Sequence, residues 1–457
     1  MKLLPKERWE RGRQKRKQVR RTDHAVWSPE KRQANTLELM RASMRGRVPS
    51  LIELKYARMA ASPFGYFRGA VPVMAYDLSR LSNTGIESQL CGDAHVRNLG
   101  AFAGPDGRMV FDINDFDETI RGPFEWDVKR MATSLMLAGR GTGEKEPYCR
   151  DAARVFVERY REMMLEFARM PVLDMARYQV HRLKSTVSVG GLLQMAERAT
   201  PIHTLQQLTE VQKQRIGRSQ GEKKRVFKSE PPVLTRLSGA AAKKVIASLK
   251  TYEKSIQPQR RRFLEQYRPQ DVAFKVVGTG SVGMRDYCIY MEGNGAKDPL
   301  FLQIKEETVS AYAPYLAKDR NAPRHQGQRV VEGEIAMQLQ SDTFLGWTTL
   351  EGRDYLVRQL NDHKASIQVE DLRDTELLEY AEVCGEMLAR GHARSGDCEE
   401  LAGYLGGSQR FDDAVVQFAV AYADQTEKDW KELVGWMKKK PTNARTKSAR
   451  KRTSRKR

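Results

Sequence analysis

Cysteine is scarce in this chain: five in 457 residues, at positions 91, 149, 288, 384 and 398, with no CxxC pair. That scatter speaks against a disulfide framework and a cysteine-built zinc site, and for reduced thiols in the cytoplasm. Long apolar runs are also missing, and none approaches the roughly 18 residues that a membrane span needs. The opening stretch MKLLPKERWERGRQKRKQVRR has no apolar centre, so no secretory signal is expected. Histidine numbers seven, too few at ligand spacing for a zinc centre.

What the chain has in excess is positive charge, a formal +21. Residues 1–22 carry a net +8 and residues 438–457 a net +11, which leaves about +2 for the body between them. Such like-charged blocks predict disordered tails, here 1–30 and 436–457, able to meet nucleic acid or an anionic surface through non-specific contacts. Within the two blocks only Trp9 is interleaved with the cations, and no base-reading module adjoins them. The chemistry is therefore sought in the nearly neutral body.

That body changes character along its length. Residues 31–200 read as mainly helical, interrupted by a β-hairpin over 98–115 whose turn is GPDG. FEWDVKRMATSLMLAGR and YCRDAARVFVERYREMMLEFARM then show helical apolar spacing. Residues 201–265 are polar and locally basic and predict a helical insertion or connector. From 266 to 365 the pattern is strand, glycine turn, strand, loop, strand, followed by a helix near 327–341 and a strand pair. Residues 366–435 are helical again. The expected fold class is α+β.

Two polar clusters stand out. GDAHVRN sets Asp93 and Asn98 five positions apart, and DINDFDE offers Asp112, Asp115 and Asp117. Strand alternation puts Asp112 on one face and the other two acids on the opposite one. Phosphoryl transfer needs a carboxylate to orient or deprotonate an acceptor hydroxyl, and oxygen ligands for Mg2+. An EF-hand starting at Asp112 would put Phe116 at a ligand position and lacks the central glycine. A magnesium-dependent hydrolase stays open. His95 reads as a packed loop residue, and Asp127 as a structural acid at a helix start.

Farther on, GTGSVG runs from Gly278 to Gly283. A dinucleotide fold would continue this loop into a helix, but MRDYCIYMEG is β-prone, so the loop joins two strands. That arrangement suits Gly278, Thr279, Gly280, Ser281 and Gly283 to covering ATP phosphates. LFLQIKEE then places Lys305 at the end of an alternating strand. The next helix offers Glu332 as its partner, with Glu334 as the alternative.

Taken as a set, SPFGYFRGA, CGDAHVRNLG, INDFDE, GTGSVG and GHARSGD resemble an uncharacterised bacterial domain-of-unknown-function family, over about 25–435. That family is grouped with protein-kinase-like folds. The second and third stretches are similar to the core of aminoglycoside-phosphotransferase-like kinases, whose loop reads HGDxHxxN. Cys91 stands where that loop usually has His. The resemblance implies a two-lobed kinase-like fold with Asp93 orienting the acceptor and Asn98 and Asp115 holding Mg2+. It also implies that Lys305 with Glu332 clamps the ATP phosphates beneath the 278–283 loop.

The order of the motifs is inverted. In an ordinary kinase the glycine loop and lysine precede the catalytic loop, whereas here they follow it. Either the glycine loop is incidental or, the reading preferred, the chain is a circular permutation, with 266–365 as the small lobe and 31–200 plus 366–435 as the large one. Compact domains tolerate such a change because their termini often lie close together. His392, Arg394 and Asp397 line the site or merely close a helix, and Arg68 is a further candidate phosphate contact. The expected activity is ATP- and Mg2+-dependent phosphoryl transfer to an unidentified acceptor, a small-molecule hydroxyl. AMP transfer would use the same residues. The alternative class is a non-catalytic nucleotide-binding or nucleic-acid-associated protein working through its tails.

Overall fold

A computed structural model describes residues 3–179, 187–213, 223–276, 278–320, 322–360 and 365–439. The chain opens with helices α1 (Pro5–Lys15), α2 (Thr36–Ser43), α3 (Pro49–Ala60), α4 (Pro63–Gly69) and α5 (Val71–Ser79). Four of these five carry a proline in their first two positions, where a missing N–H leaves no helical bond unmade. Short strands follow: β1 (Glu87–Leu90), β2 (Leu99–Ala103), β3 (Met109–Ile113) and β4 (Ile120–Pro123). β2 and β3 form the hairpin that GPDG turns, and β1 pairs with β4.

Next come α6 (Glu125–Thr142), α7 (Glu146–Phe167), α8 (Val172–Ala176), α9 (Val187–Arg198) and α10 (Pro201–Leu208). Every residue of α6 from Glu125 to Gly139 is buried, so it is the axis of the helical part. The last helices, α15 (Asp374–Ser395), α16 (Cys398–Leu405) and α17 (Arg410–Lys439), gather around it, with α15 lying along α7. A Cβ on Gly385 would lie 2.5 Å from the Phe156 carbonyl oxygen, so only glycine lets those two backbones approach. To introduce α15 the chain has first passed through the second part of the molecule.

That part holds β5 (Thr209–Lys213), β6 (Lys223–Phe227), β7 (Leu234–Leu237), α11 (Gly239–Ala247), α12 (Leu249–Tyr252) and α13 (Pro258–Leu264). It continues with β8 (Arg268–Lys275), β9 (Asp286–Glu292), β10 (Pro299–Glu307), α14 (Gln326–Met337), β11 (Gly346–Leu350), β12 (Arg353–Gln359) and β13 (Ala365–Ser366). Six strands make one antiparallel sheet in the order β11-β12-β10-β9-β8-β7, while β13 adds to the β2–β3 hairpin. Alternation along β10 buries Leu300, Leu302 and Ile304 against Tyr252, Ile256 and Leu264. Lys305 and Glu307 therefore share the opposite face of the strand.

The architecture is mixed α+β, and among the described residues no helix is long and apolar enough to cross a membrane. Two expectations about the ends and the connector change. Residues 3–30 are not a loose tail: α1 docks on α16, where a Cβ on Gly12 would lie 1.9 Å from Glu400 O and one on Gly403 2.1 Å from Trp9 O. The basic side chains find partners there, Arg8 with Asp397 (3.2 Å) and Glu399 (2.6 Å), and Arg16 and Arg21 with the Tyr404 and Leu405 carbonyls. Residues 201–265 are not purely helical, since β5 and β6 pair as a hairpin and β7 joins the sheet. At the other end α17 continues to Lys439, and the rest of the 436–457 tail, 440–457, lies outside the described residues.

Candidate active site

The turn after β1 is built from below. Asp127, near the start of α6, accepts the Cys91 N–H (2.7 Å) and the Gly92 N–H (3.1 Å) on its two carboxylate oxygens. Gly92 has φ +81°, and a Cβ there would meet the Glu118 carbonyl oxygen at 2.2 Å. The turn delivers Asp93 to a cavity of about 340 Å³. One helical turn beyond Asp127, the fully buried Arg130 donates from Nε to Asp93 Oδ1 (2.9 Å) and lies 4.2 Å from the centre of the Phe67 ring. Asp93 Oδ2 stays available, 3.6 Å from His95 Nε2. Burial holds His95 down to about 3, against the pull of Asp93, so the imidazole is neutral at ordinary pH.

Asn98 joins the two acidic loops. Its Nδ2 donates to the carbonyls of Asp93 (3.0 Å) and Asp115 (2.9 Å), and its Oδ1 accepts the Asp115 N–H (2.7 Å). The amide is turned to backbone and does not line the cavity, so Asn98 is a clasp where a metal ligand was expected. Of the three candidate acids, Asp112 is buried elsewhere. It pairs with Arg390 and accepts the N–H groups of Ile113 (2.8 Å) and Leu339 (3.2 Å). Asp115 and Asp117 line the cavity.

Lys305 is not among the residues that line the cavity; its buried Nζ lies 3.1 Å from Asp115 Oδ1 and 2.5 Å from Asp117 Oδ1, the two acids that do. Glu332 is not its partner: it sits on the exposed face of α14, where its Oε1 accepts from Gln328 Nε2 (2.7 Å). Glu334 is buried but acts on Arg358. What α14 does supply is Arg329, which donates to the carbonyls of Asp117 (2.8 Å), Thr308 (2.9 Å) and Thr119. That guanidinium fastens the acidic loop to the end of β10.

Gly278, Thr279, Gly280 and Ser281 border the same cavity, and the loop turns at positive φ on Gly278 (+55°) and Gly283 (+89°). Gly283 itself faces away, its carbonyl accepting the Val48 N–H at 2.7 Å. His392, Arg394 and Asp397 do not line the cavity. His392 is buried between Tyr160 (2.9 Å) and Asp127 (3.5 Å), Arg394 bonds the Ala176 carbonyl, and Asp397 caps α16 through the Glu400 N–H.

The charges are uneven. Asp115, Asp117 and Glu307 meet beside Lys305, with Arg358 and Arg329 also acting on them. Burial pushes Asp117 up, the Asp115 charge pushes it farther, and Glu307 rises for the same two kinds of reason. Asp115 goes the other way: burial opposes its ionisation, but Lys305 and Arg358 outweigh that. Glu307 Oε1 is buried with no hydrogen-bond partner among the described residues. Among those residues no three or more His, Cys, Asp or Glu side chains form a ready-made metal cage. Mg2+ does not require one, since it is commonly held by one or two carboxylates plus substrate phosphates. The orphaned carboxylate oxygen of Glu307, beside Asp115 and Asp117 at the cavity, suits such a cation.

Sequence reasoning missed Arg130, Glu307 and Arg329. Arg130 follows Asp127 by three positions, a spacing that puts both on one helix face, and Glu307 shares the face of Lys305. Arg329 left no signal. The family model described as "Uncharacterized protein conserved in bacteria (DUF2252)" matches residues 47–435, and the chain belongs to that family. No curated protein and no solved structure matches it.

Proposed function

We propose that this family member is an ATP- and Mg2+-dependent phosphotransferase with a circularly permuted, two-lobed kinase-like fold. One observation carries the reading: Asp93, Asp115 and Asp117 share a single cavity with the 278–281 loop, and Lys305 meets Asp115 from 190 residues away. On this reading the sheet β7–β12 is the small lobe, and α6, α7 and α15–α17 are the core of the large one.

The chemistry follows from what each group touches. The 278–281 backbone covers the phosphates, and Lys305 offsets their charge. The acceptor hydroxyl lies against Asp93 Oδ2, the oxygen that Arg130 does not hold. Its oxygen attacks the γ-phosphorus, the bond from that phosphorus to the β,γ-bridging oxygen breaks, and ADP leaves. The hydroxyl proton passes to Asp93. Mg2+ would be held by Asp115 and Asp117, with Glu307 beside them, and would supply charge neutralisation at the phosphates. Asn98 serves by holding the two loops in register.

The chain's own helices wall the acceptor side, with Arg68, Val71 and Pro72 at the cavity. That favours a small hydroxyl compound over a polypeptide. The test is to incubate the full chain with Mg-ATP and a panel of small hydroxyl compounds and to measure ADP. Asp93→Asn should abolish acceptor-dependent ADP release while Mg-ATP still binds. Undiminished turnover in that variant would remove Asp93 from the reaction, and pyrophosphate in place of ADP would mean AMP transfer.

A further inference from the structure

Residues 46–58 grip the glycine loop from outside. Arg47 Nη1 donates to the Val282 carbonyl (2.6 Å), and Lys55 Nζ donates to Gly280 O (2.5 Å) and Thr279 O (3.5 Å). Arg58 bonds the Gly278 carbonyl, and Leu51 packs with Val276 and Val282. Lys55 stands out because it is only 1% exposed. Among the described residues no carboxylate is in ion-pair contact with it or with Arg47, whereas Lys305 holds two.

Taking an ammonium out of water is costly unless a counter-charge meets it. The acids nearest in effect, Glu118, Asp93 and Asp117, reach Lys55 only through space. Burial, helped by the Arg47 charge, therefore pulls its pKa well down. Carbonyl dipoles alone are a poor substitute for an anion. Both cations line the cavity beside the 278–281 loop.

We propose that Lys55, backed by Arg47, is a phosphate-binding residue that holds the nucleotide triphosphate against the 278–281 loop. This rests on the phosphotransferase reading. A phosphate oxygen gives the buried ammonium the counter-charge that it lacks. It also gives α3, which precedes the catalytic loop in the chain, a part in the nucleotide site. The competing role is mechanical, with Lys55 merely fastening the loop, and the two roles predict different things. Replacing a fastener weakens the fold. Replacing a buried cation without counter-ion by an apolar side chain of similar length removes an unfavourable charge, which offsets the two carbonyl hydrogen bonds lost with it and leaves the fold about as stable.

The experiment compares the full-length wild type, Lys55→Met and Lys55→Arg by calorimetry with Mg-ATP, inorganic pyrophosphate, adenosine and a hexose phosphate. Each protein is also melted without ligand. Lys55→Met should lose roughly tenfold to a hundredfold in affinity for Mg-ATP and pyrophosphate, as expected for a charge-assisted hydrogen bond. Adenosine binding and the ligand-free melting temperature should not fall, and Lys55→Arg should keep most of the affinity. Unchanged Mg-ATP affinity in Lys55→Met overturns the inference while leaving the phosphotransferase reading intact. So does a lowered melting temperature with adenosine and Mg-ATP weakened alike, which is the fastener result. A loss confined to the hexose phosphate assigns the anion to the acceptor and overturns the nucleotide assignment. A wild type that binds neither Mg-ATP nor pyrophosphate ends both proposals.

Discussion

Lys305 and Asp115 touch at 3.1 Å across 190 residues of chain, and the same ammonium reaches Asp117 at 2.5 Å. The contact ties the face of β10 to the loop after β3, and so ties the sheet to the helical part of the molecule. Lys305 shares this acidic cluster with Arg358 and Arg329, and one oxygen of Glu307 is left without a hydrogen-bond partner among the described residues.

Arg130 is the prop of Asp93. It is fully buried and bonded to Asp93, and it also donates to the Phe67 carbonyl at 3.1 Å. Arg130→Met strands the Asp93 carboxylate beside an apolar side chain and should lower unfolding stability by about 3–5 kcal/mol. Urea unfolding of the variant measures it. A change within experimental error would mean that the pair does not position Asp93.

The clasp at Asn98 makes a separate prediction. Asn98→Ala leaves the Asp115 N–H and two carbonyls without their partner, which should cost about 2–3 kcal/mol. The loss should appear in EDTA as fully as in Mg2+, because the amide binds backbone. Destabilisation that appears only with the metal present would restore Asn98 as a ligand.

Acid should weaken the fold through His95. Its folded pKa is depressed to about 3 from an ordinary 6.5. The unfolded chain therefore takes up a proton that the folded chain refuses. Stability present above pH 6.5 is lost as pH falls towards 3, by ~2 kcal/mol at pH 5 relative to pH 7.5. His95→Gln should flatten the stability-versus-pH curve by that amount, read by urea unfolding at the two pH values. An unaltered slope would show that another group governs it.

Residues 3–30 should matter to stability. Gly12→Val would drive a side chain into the Glu400 carbonyl, and overpacking of this kind costs about 1–3 kcal/mol. The variant should become susceptible to trypsin within residues 5–21, where the wild type resists. Equal cleavage rates would indicate that α1 is not held on α16.

Several of these features were legible in the sequence, and others could not have been. GPDG and the alternation around it are local signals, and the β2–β3 hairpin follows from them. Motif spacing and order pointed to Asp93 and Lys305, whereas spacing left Asp112, Asp115 and Asp117 open and only the likeness to kinase-like phosphotransferases favoured Asp115. Glu332 was chosen by chain order, but which face α14 buries is decided by tertiary packing. That helix turns Val330, Gly333, Glu334 and Met337 inward and leaves Glu332 outside. The N-terminal charge was misread because composition does not distinguish an arginine in water from Arg16 or Arg21 bonded to the last carbonyls of α16. The strands β5 and β6, TEVQK and KKRVF, carry too few apolar residues to announce themselves. Lys55 illustrates the limit best: no motif surrounds it, and only the fold brings α3 to the glycine loop.

The central claim is that one cavity binds Mg-ATP through groups from both halves of the chain. Calorimetry of Mg-ATP binding to the wild type, Lys305→Ala and Asp115→Asn tests it most directly, with a thermal melt to confirm that each variant is folded. The account predicts saturable binding by the wild type and a loss of tenfold or more, about 1.4 kcal/mol at least, in both folded variants. No binding by the wild type, or equal affinity in all three proteins, would contradict it.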